Sequence, residues 1–144
     1  FRKGWPYEES IRVPLLIRWP EKIIPGLREG EIVSLVDLYS TTVALVGGSP
    51  HGDLDGIDFS ASLFSKEKQE VRAEGVSISM PSVPPYPPNC GIKWRGIRTF
   101  RYAAAWREDG VPWFVFDMLR DPSQKNNLVA NKRLVSELAQ LSFK

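Results

Sequence analysis

Thr99-Phe-Arg-Tyr-Ala-Ala-Ala-Trp-Arg-Glu-Asp-Gly-Val-Pro-Trp-Phe-Val-Phe-Asp117 is the stretch on which the fold of this chain turns. Phe100, Tyr102, Ala104 and Trp106 alternate with Thr99, Arg101, Ala103 and Ala105, the period of a half-buried strand. Glu108-Asp109-Gly110 supplies a turn, and Val111–Asp117 reads as a second strand, so the pair forms a β-hairpin. Upstream, Val71–Met80 alternates well enough for another strand. Downstream, Asp121-Pro122 ends the strand region, and Asn131 is placed to cap a helix with Leu134, Leu138 and Leu141 on one face. The tail therefore reads as an antiparallel sheet with one helix packed on it.

The first half has another grain. Residues 11–19, Ile-Arg-Val-Pro-Leu-Leu-Ile-Arg-Trp, read as a nearly continuous apolar strand, as in a sheet covered on both faces. Pro14 argues against a regular central strand, because it donates no ladder hydrogen bond. Residues 21–30 read as a loop and Ile32–Val36 as a short strand. Asp37 is placed to cap a helix over Leu38–Val46, with Leu38, Thr42 and Leu45 on one face and Gly47-Gly48 ending it. Residues 49–58 read as loop and Ser60–Ser65 as a helical turn. Strand followed by capped helix is the grain of an α/β layer. The fold class expected is α/β plus α+β, divided into residues 1–68 and 69–144.

Composition removes several classes of function. The chain has 144 residues, 42% apolar and 25% charged, ordinary values for a globular protein and unlike a disordered or collagen-like one. Its apolar runs fall far short of the ~20 residues that a membrane helix needs. One cysteine and one histidine exclude an internal disulfide framework and a self-contained Cys/His zinc site. A net charge of +2, with scattered basic residues, leaves no footprint for nucleic acid. The chain opens on Phe1, so a piece of a longer protein is expected.

Catalytic equipment is sparse. His51 lies in a loop, Ser-Pro-His-Gly-Asp, and reads as solvated. Cys90, in Pro-Asn-Cys-Gly-Ile, has no neighbouring base in sequence and reads as a half-buried thiol. Asp53 and Asp55 lack further oxygen ligands at calcium-loop spacing. Pro81-Ser-Val-Pro-Pro-Tyr-Pro-Pro88 is a stiff, extended loop.

Residues 1–20, Phe-Arg-Lys-Gly-Trp-Pro-Tyr-Glu-Glu-Ser-Ile-Arg-Val-Pro-Leu-Leu-Ile-Arg-Trp-Pro, are more specific. Lys3, Tyr7, Glu8, Arg12 and Pro14 stand where type I sulfatases of the alkaline phosphatase-like superfamily carry a lysine, a short turn and Tyr-Glu-x-x-x-Arg-x-Pro. The resemblance continues in order. Ser34-Leu-Val-Asp-Leu-Tyr-Ser-Thr41 is similar to the family's Val-Asp-Leu-Tyr-Pro-Thr, with Ser40 in place of proline. Leu54-Asp-Gly56 with Ser60–Leu63 is similar to Leu-Asp-Gly-x-Ser-Leu. Trp94-Arg-Gly-Ile-Arg-Thr99 with Arg101-Tyr102 is similar to Arg-x-Arg-Thr-x-x-Tyr. Phe116-Asp117, Asp121-Pro122 and Asn127-Leu128 resemble the closing Tyr-Asp-Leu-x-x-Asp-Pro-x-Glu-x-x-Asn-Leu.

The resemblance implies the C-terminal part of a sulfatase. Residues 1–68 would end its α/β domain, and 69–144 would form a small subdomain of antiparallel sheet plus helix. In the family a formylglycine nucleophile and a calcium ion attack and polarise the sulfate ester, with cations stabilising the charge that develops. Cys90 does not lie in the family's modification motif, and no metal ligand matches here, so nucleophile and calcium would come from upstream and this chain alone would be inactive. Lys3 matches an active-site lysine and would neutralise a sulfate oxygen. Trp94 and Arg95 are expected on a substrate-contacting loop; the alternative is that Trp94 packs in the sheet and Arg95 pairs locally. An ion pair between Arg12 and Glu8 is expected to orient the Lys3 loop. The implied partner is a sulfated small molecule or glycan. The isolated chain is expected to self-associate through Val13, Leu15, Leu16 and Ile17. Two alternatives stand beside this reading: a phosphonate monoester or phosphodiester hydrolase of the same superfamily, and a non-catalytic α+β interaction module.

Overall fold

A computed structural model describes residues 4–26, 32–64, 75–81 and 93–142. The chain divides into two compact units: Phe1–Pro14 with Glu74–Lys144, and Leu15–Ala73. The expected boundary at residue 68 lies outside the described residues.

The first unit is built on a four-stranded antiparallel meander in the order β1 (Val76–Met80), β2 (Trp94–Arg98), β3 (Tyr102–Arg107), β4 (Pro112–Asp117). The predicted hairpin is β3–β4, with Tyr102 opposite Asp117 and Ala105 opposite Phe114. Its three-residue loop closes through Gly110 N–H to the Arg107 carbonyl and Arg107 N–H to the Val111 carbonyl. Gly110 sits at φ +78°, the left-handed position such a loop demands. Pro112 opens β4, and a bulge follows it at the Ala105/Trp106 register shift, so its missing N–H breaks no regular ladder.

β3 differs from expectation: Ala103, Ala104, Ala105 and Trp106 are all buried, so neither face of the strand meets water. Ala103 and Ala105 pack with Trp94, Phe114, Phe116 and Met118, covered by Tyr7 and Ile11 from the N-terminal segment. Ala104 and Trp106 pack with Ile97, Val115 and Leu138, covered by α4 (Lys132–Ser142). The alternation predicts one covered face; the chain's own beginning supplies the second cover. Small residues in the central strand admit both layers. Within the sheet the tightest approach is at Gly96, where a Cβ would come within 2.3 Å of the Ala104 carbonyl oxygen.

α4 starts as expected, with Asn131 Oδ1 accepting the Leu134 N–H at 3.1 Å. The Asn127-Leu128 pair finishes the sheet. Asn127 Oδ1 accepts the Val115 N–H at 3.0 Å, its Nδ2 donates to the Trp113 carbonyl, and Leu128 N–H donates to the Val115 carbonyl. Polar groups on the outer edge of β4 are thereby satisfied without a fifth strand.

Among its described residues the second unit, Leu15–Ala73, is irregular apart from α2 (Asp37–Leu45) and α3 (Ser60–Phe64). Two predicted strands do not form. Residues 12–19 follow α1 (Glu8–Ile11) without joining a ladder, and residues 32–34 are likewise unpaired. A strand exists only through ladder bonds, and Pro14 and Pro20 remove two donors. Leu16 is consequently 91% exposed, with Val13 and Leu15 also exposed and Ile17 half-buried.

α2 ends as predicted. Gly47, at φ +79°, donates to Ala44 O, and Gly48 donates to Val43 O, the paired bonds of a Schellman cap. Its start and its buried face depart from expectation. Asp37 is the first helical residue rather than the cap, and Asp37, Ser40 and Thr41 are buried in place of Leu38, Thr42 and Leu45. The Asp37 carboxylate is fully buried and accepts Ser34 N–H at 2.7 Å and Ile57 N–H at 2.9 Å. Ser40 Oγ donates to Gly56 O at 3.0 Å, and Thr41 Oγ1 accepts Phe59 N–H at 3.1 Å. Backbone demand, not apolar area, decides which face turns inward. Gly56 is obligatory, since a Cβ there would lie 2.0 Å from the Val36 carbonyl oxygen.

Candidate functional site

The segment that immediately follows Lys3 is held onto the sheet at several points. Gly4 takes a left-handed conformation, φ +96°, that L side chains resist. Its N–H donates to Ser10 Oγ at 3.1 Å, closing the turn. Its carbonyl accepts the Trp94 indole N–H at 2.7 Å, joining positions 90 residues apart.

Aromatic rings continue the attachment. Trp5 lies 5.1 Å from Trp113 between ring centroids, and Tyr7 meets Phe114 edge-on at 4.9 Å. Such pairs contribute roughly 0.5–1.5 kcal/mol each beyond the area they bury. Polar contacts close the far end. Glu8 Oε1 accepts Arg98 Nε at 2.5 Å, and both side chains are mostly shielded, 16% and 19% exposed. Glu8 N–H donates to Gln124 Oε1 at 2.9 Å. Arg98 Nη1 also donates to the Thr99 and Phe100 carbonyls. Removing either partner of a shielded pair leaves the other charge uncompensated, which makes this a strict geometric constraint.

Glu8 thus pairs with Arg98 rather than with Arg12 as expected; Arg12 is exposed. Both ends of the pair lie in stretches singled out in the sequence, Tyr7-Glu8 and Arg95-x-x-Arg98-Thr99. Nothing local links them, because the contact spans 90 residues. Gln124 stands at the glutamate position of the closing Asp-Pro-x-Glu motif, but nothing near it in sequence points to Glu8.

The other expected site residues fall as follows. Lys3 lies outside the described residues, as do Cys90 and positions 82–88 of the proline-rich stretch. Trp94 is only 4% exposed and belongs to the sheet core, the packing alternative set out for it. Arg95 is exposed and, by strand alternation, projects to the opposite face of β2 from Trp94. The fold therefore does not bring the two together on one surface. His51, Asp53 and Asp55 are exposed in loop.

A second polar centre closes β4. The Asp117 carboxylate accepts Arg101 Nε at 2.9 Å and Nη2 at 2.8 Å, along with Leu119 and Arg120 N–H. The Arg101 hydrogen bonds, aided by those backbone donors, hold this carboxyl below the usual 3.8 despite its burial. Each oxygen of the Asp117 carboxylate thus accepts two hydrogen bonds.

Calcium fits none of this. Among the described residues no three His, Cys, Asp or Glu side chains gather as a metal site. The buried carboxylates Asp37 and Asp117 are already spent on N–H donors. No described helix is long and apolar enough to cross a membrane.

Across residues 1–144 the chain matches the family described as N-sulphoglucosamine sulphohydrolase, C-terminal. It is 31% identical to an endo-4-O-sulfatase of Bacteroides thetaiotaomicron, over 94% of this chain and 29% of that protein. It is 30% identical to human arylsulfatase A, over 98% of this chain and 32% of that enzyme. Among solved structures, it superposes with a TM-score of 0.83 and 26% identity on a protein captured with its substrate D-glucosamine-2-N,6-O-disulfate, covering 98% of this chain and 29% of that one. The chain thus spans about a third of the length of the curated relatives it matches.

Proposed function

From the premise that this chain belongs to the N-sulphoglucosamine sulphohydrolase C-terminal family of sulfatases, we propose that its parent hydrolyses sulfate esters or sulfamates of a glycan. The family match along the whole chain, with sulfatase relatives in two distant organisms, is the observation that carries this reading. The sulfated glucosamine bound by the structural relative favours a sulfated sugar as the substrate class.

In this reading residues 1–68 complete the parent's α/β domain and 69–144 form its small subdomain, with residues 4–14 crossing back onto the sheet. A formylglycine nucleophile would be formed by, and a calcium ion held by, residues of the upstream part of the parent. This chain contributes Lys3, whose ammonium neutralises a sulfate oxygen as negative charge grows in the transition state. Arg95, exposed on β2, is the candidate for the rim of the substrate cleft. Trp94 acts on substrate only through the segment that it holds. The exposed Val13, Leu15 and Leu16 drive self-association when the chain is isolated; a purely monomeric sedimentation profile at high concentration refutes that part.

The test is hydrolysis by the full-length parent of para-nitrophenyl sulfate and of sulfated glucosamines, with the 144-residue chain alone as control. Turnover by the parent and none by the chain is expected. A Lys3→Ala parent should lose about 100-fold in kcat/KM, the usual scale for removing a charge that stabilises the transition state. Preference for a phosphonate monoester over every sulfate would replace this reading with the phosphonate hydrolase one.

A further inference from the structure

We propose that Trp5, Trp113 and Arg107 form a subsite for one sulfated sugar of a glycan chain, the indoles stacking on its C–H face and the guanidinium clasping its sulfate. The inference rests on the sulfated-glycan reading given above and deepens it. A bulge makes the site. Ala105 lies opposite Phe114 and Trp106 opposite Pro112, which leaves Trp113 as the extra residue on β4. Strict alternation would send Trp113 to the face opposite Phe114; with the bulge both pack on the same apolar layer. There Trp113 meets Trp5, with ring centroids 5.1 Å apart and ring planes tilted by 54°. Both indoles are half-buried, so they form a corner with part of each ring open to solvent. The corner is fixed before any ligand arrives. Gly4, bonded to Trp5, is held by the Trp94 indole at 2.7 Å, and the buried Pro6 follows. The Arg107 guanidinium lies 5.8 Å from the Trp113 ring centroid and also lines an open recess of about 370 Å³ with Lys93, Glu108 and Asp109. Glu108 is taken by Lys93 Nζ at 2.8 Å, and Asp109 Oδ1 by the Val111 N–H at 3.0 Å. Arg107 is exposed and enters no ion pair among the described residues. An aromatic corner beside an uncommitted planar cation matches a ring with an apolar C–H face and a sulfate at its edge. The guanidinium fork fits paired oxyanion oxygens, and the indoles take apolar surface from water at little cost in side-chain freedom. A neutral sugar would use the rings and leave the cation idle.

Calorimetric titration of the full-length parent tests this, with a glucosamine tetrasaccharide whose sulfates are replaced by non-hydrolysable methylenesulfonate groups as the probe. Arg107→Gln should weaken binding about 10-fold, the scale of a charge-assisted hydrogen bond. Trp5→Leu should weaken it about 5-fold; Arg107→Gln, at an exposed position, keeps the test decisive if the tryptophan variant folds poorly. Arg120→Gln alters another exposed arginine without an ion pair among the described residues and should change binding less than about 2-fold. The same tetrasaccharide without sulfonates should bind more weakly and respond to Trp5→Leu but not to Arg107→Gln. Equal losses from Arg107→Gln and Arg120→Gln would mean diffuse attraction of a polyanion, and no loss from Arg107→Gln would remove the clasp. Either result overturns the subsite and leaves sulfate-ester hydrolysis by the parent intact. If instead the parent hydrolyses no sulfate ester, the reading of its function falls. The contrast between Arg107→Gln and Arg120→Gln then upholds the subsite by its presence and overturns it by its absence.

Discussion

The two compact units differ in the balance of what they bury. The sheet unit buries apolar side chains on both faces, with Tyr7 and Ile11 on one side and Leu138 on the other. The unit from Leu15 to Ala73 buries Asp37, Ser40 and Thr41 alongside Phe59 and Leu63, while Leu16, Leu35 and Val46 stay exposed. Apolar packing is non-directional and tolerates local repacking. A carboxylate bonded to two backbone N–H groups is directional and all-or-none, since a lost acceptor strands both donors in a dry place. The first unit should therefore respond to lost volume, and the second to lost acceptors.

Phe114→Ala tests the first half of that contrast. Phe114 is buried among Tyr7, Phe116 and Trp94, so its truncation should cost ~3–5 kcal/mol. Hydrogen exchange followed by mass spectrometry should place the lost protection in residues 75–142 and 4–11 and leave 32–64 nearly unchanged. Equal loss in both regions would show that the two units unfold as one. Asp37→Ala is the mirror experiment. It should cost about 2–4 kcal/mol, less than the phenylalanine, and loosen residues 32–64 selectively. Asp37→Asn keeps the shape and one acceptor oxygen, so it should recover only part of the loss; full recovery would mean that shape, not the carboxylate's acceptors, holds the unit.

The smallest effect is a pH dependence. Asp117 is held below its ordinary value mainly by the Arg101 hydrogen bonds. Its folded form binds the proton less readily than the unfolded chain, so the stabilisation is complete above the ordinary value of 3.8 and lost as pH falls through the lower folded value. Chemical denaturation between about pH 6 and about pH 3 should show the sheet unit weakening with acid. An Asp117→Asn variant should start weaker and lose less over the same range. Identical slopes for the two proteins would remove Asp117 from the account. The exposure of Arg101, 43% against 8% for Asp117, keeps this effect modest and sensitive to salt.

How much of this was legible in the sequence follows from the same physics. The hairpin, its glycine turn, the Asn131 cap and the glycine end of α2 are local, and each is written within a few neighbouring residues. The strand expected at residues 11–19 failed because an apolar run specifies burial, and burial there requires a partner that no described residue supplies. The polar face of α2 was hidden because its purpose, the backbone at 56–59, lies some twenty residues away. At the candidate site, the family resemblance pointed to the residues and the fold shows which contacts the described ones make. Glu8 and Arg98 each stood in a quoted motif, yet only the coordinates join them, and they turn Trp94 from an expected substrate contact into a core residue tied to Gly4.

One consequence concerns how this sheet meets other chains. The Asn127 side chain presents an oxygen and an NH2 group to β4 much as a peptide unit of a neighbouring strand would, and Leu128 completes the imitation with a real amide. An unpaired strand edge is a template for recruiting foreign β-structure. Here Asn127 and Leu128 already occupy the Val115 N–H, the Val115 carbonyl and the Trp113 carbonyl, so at the middle of β4 an incoming strand would meet groups that are taken.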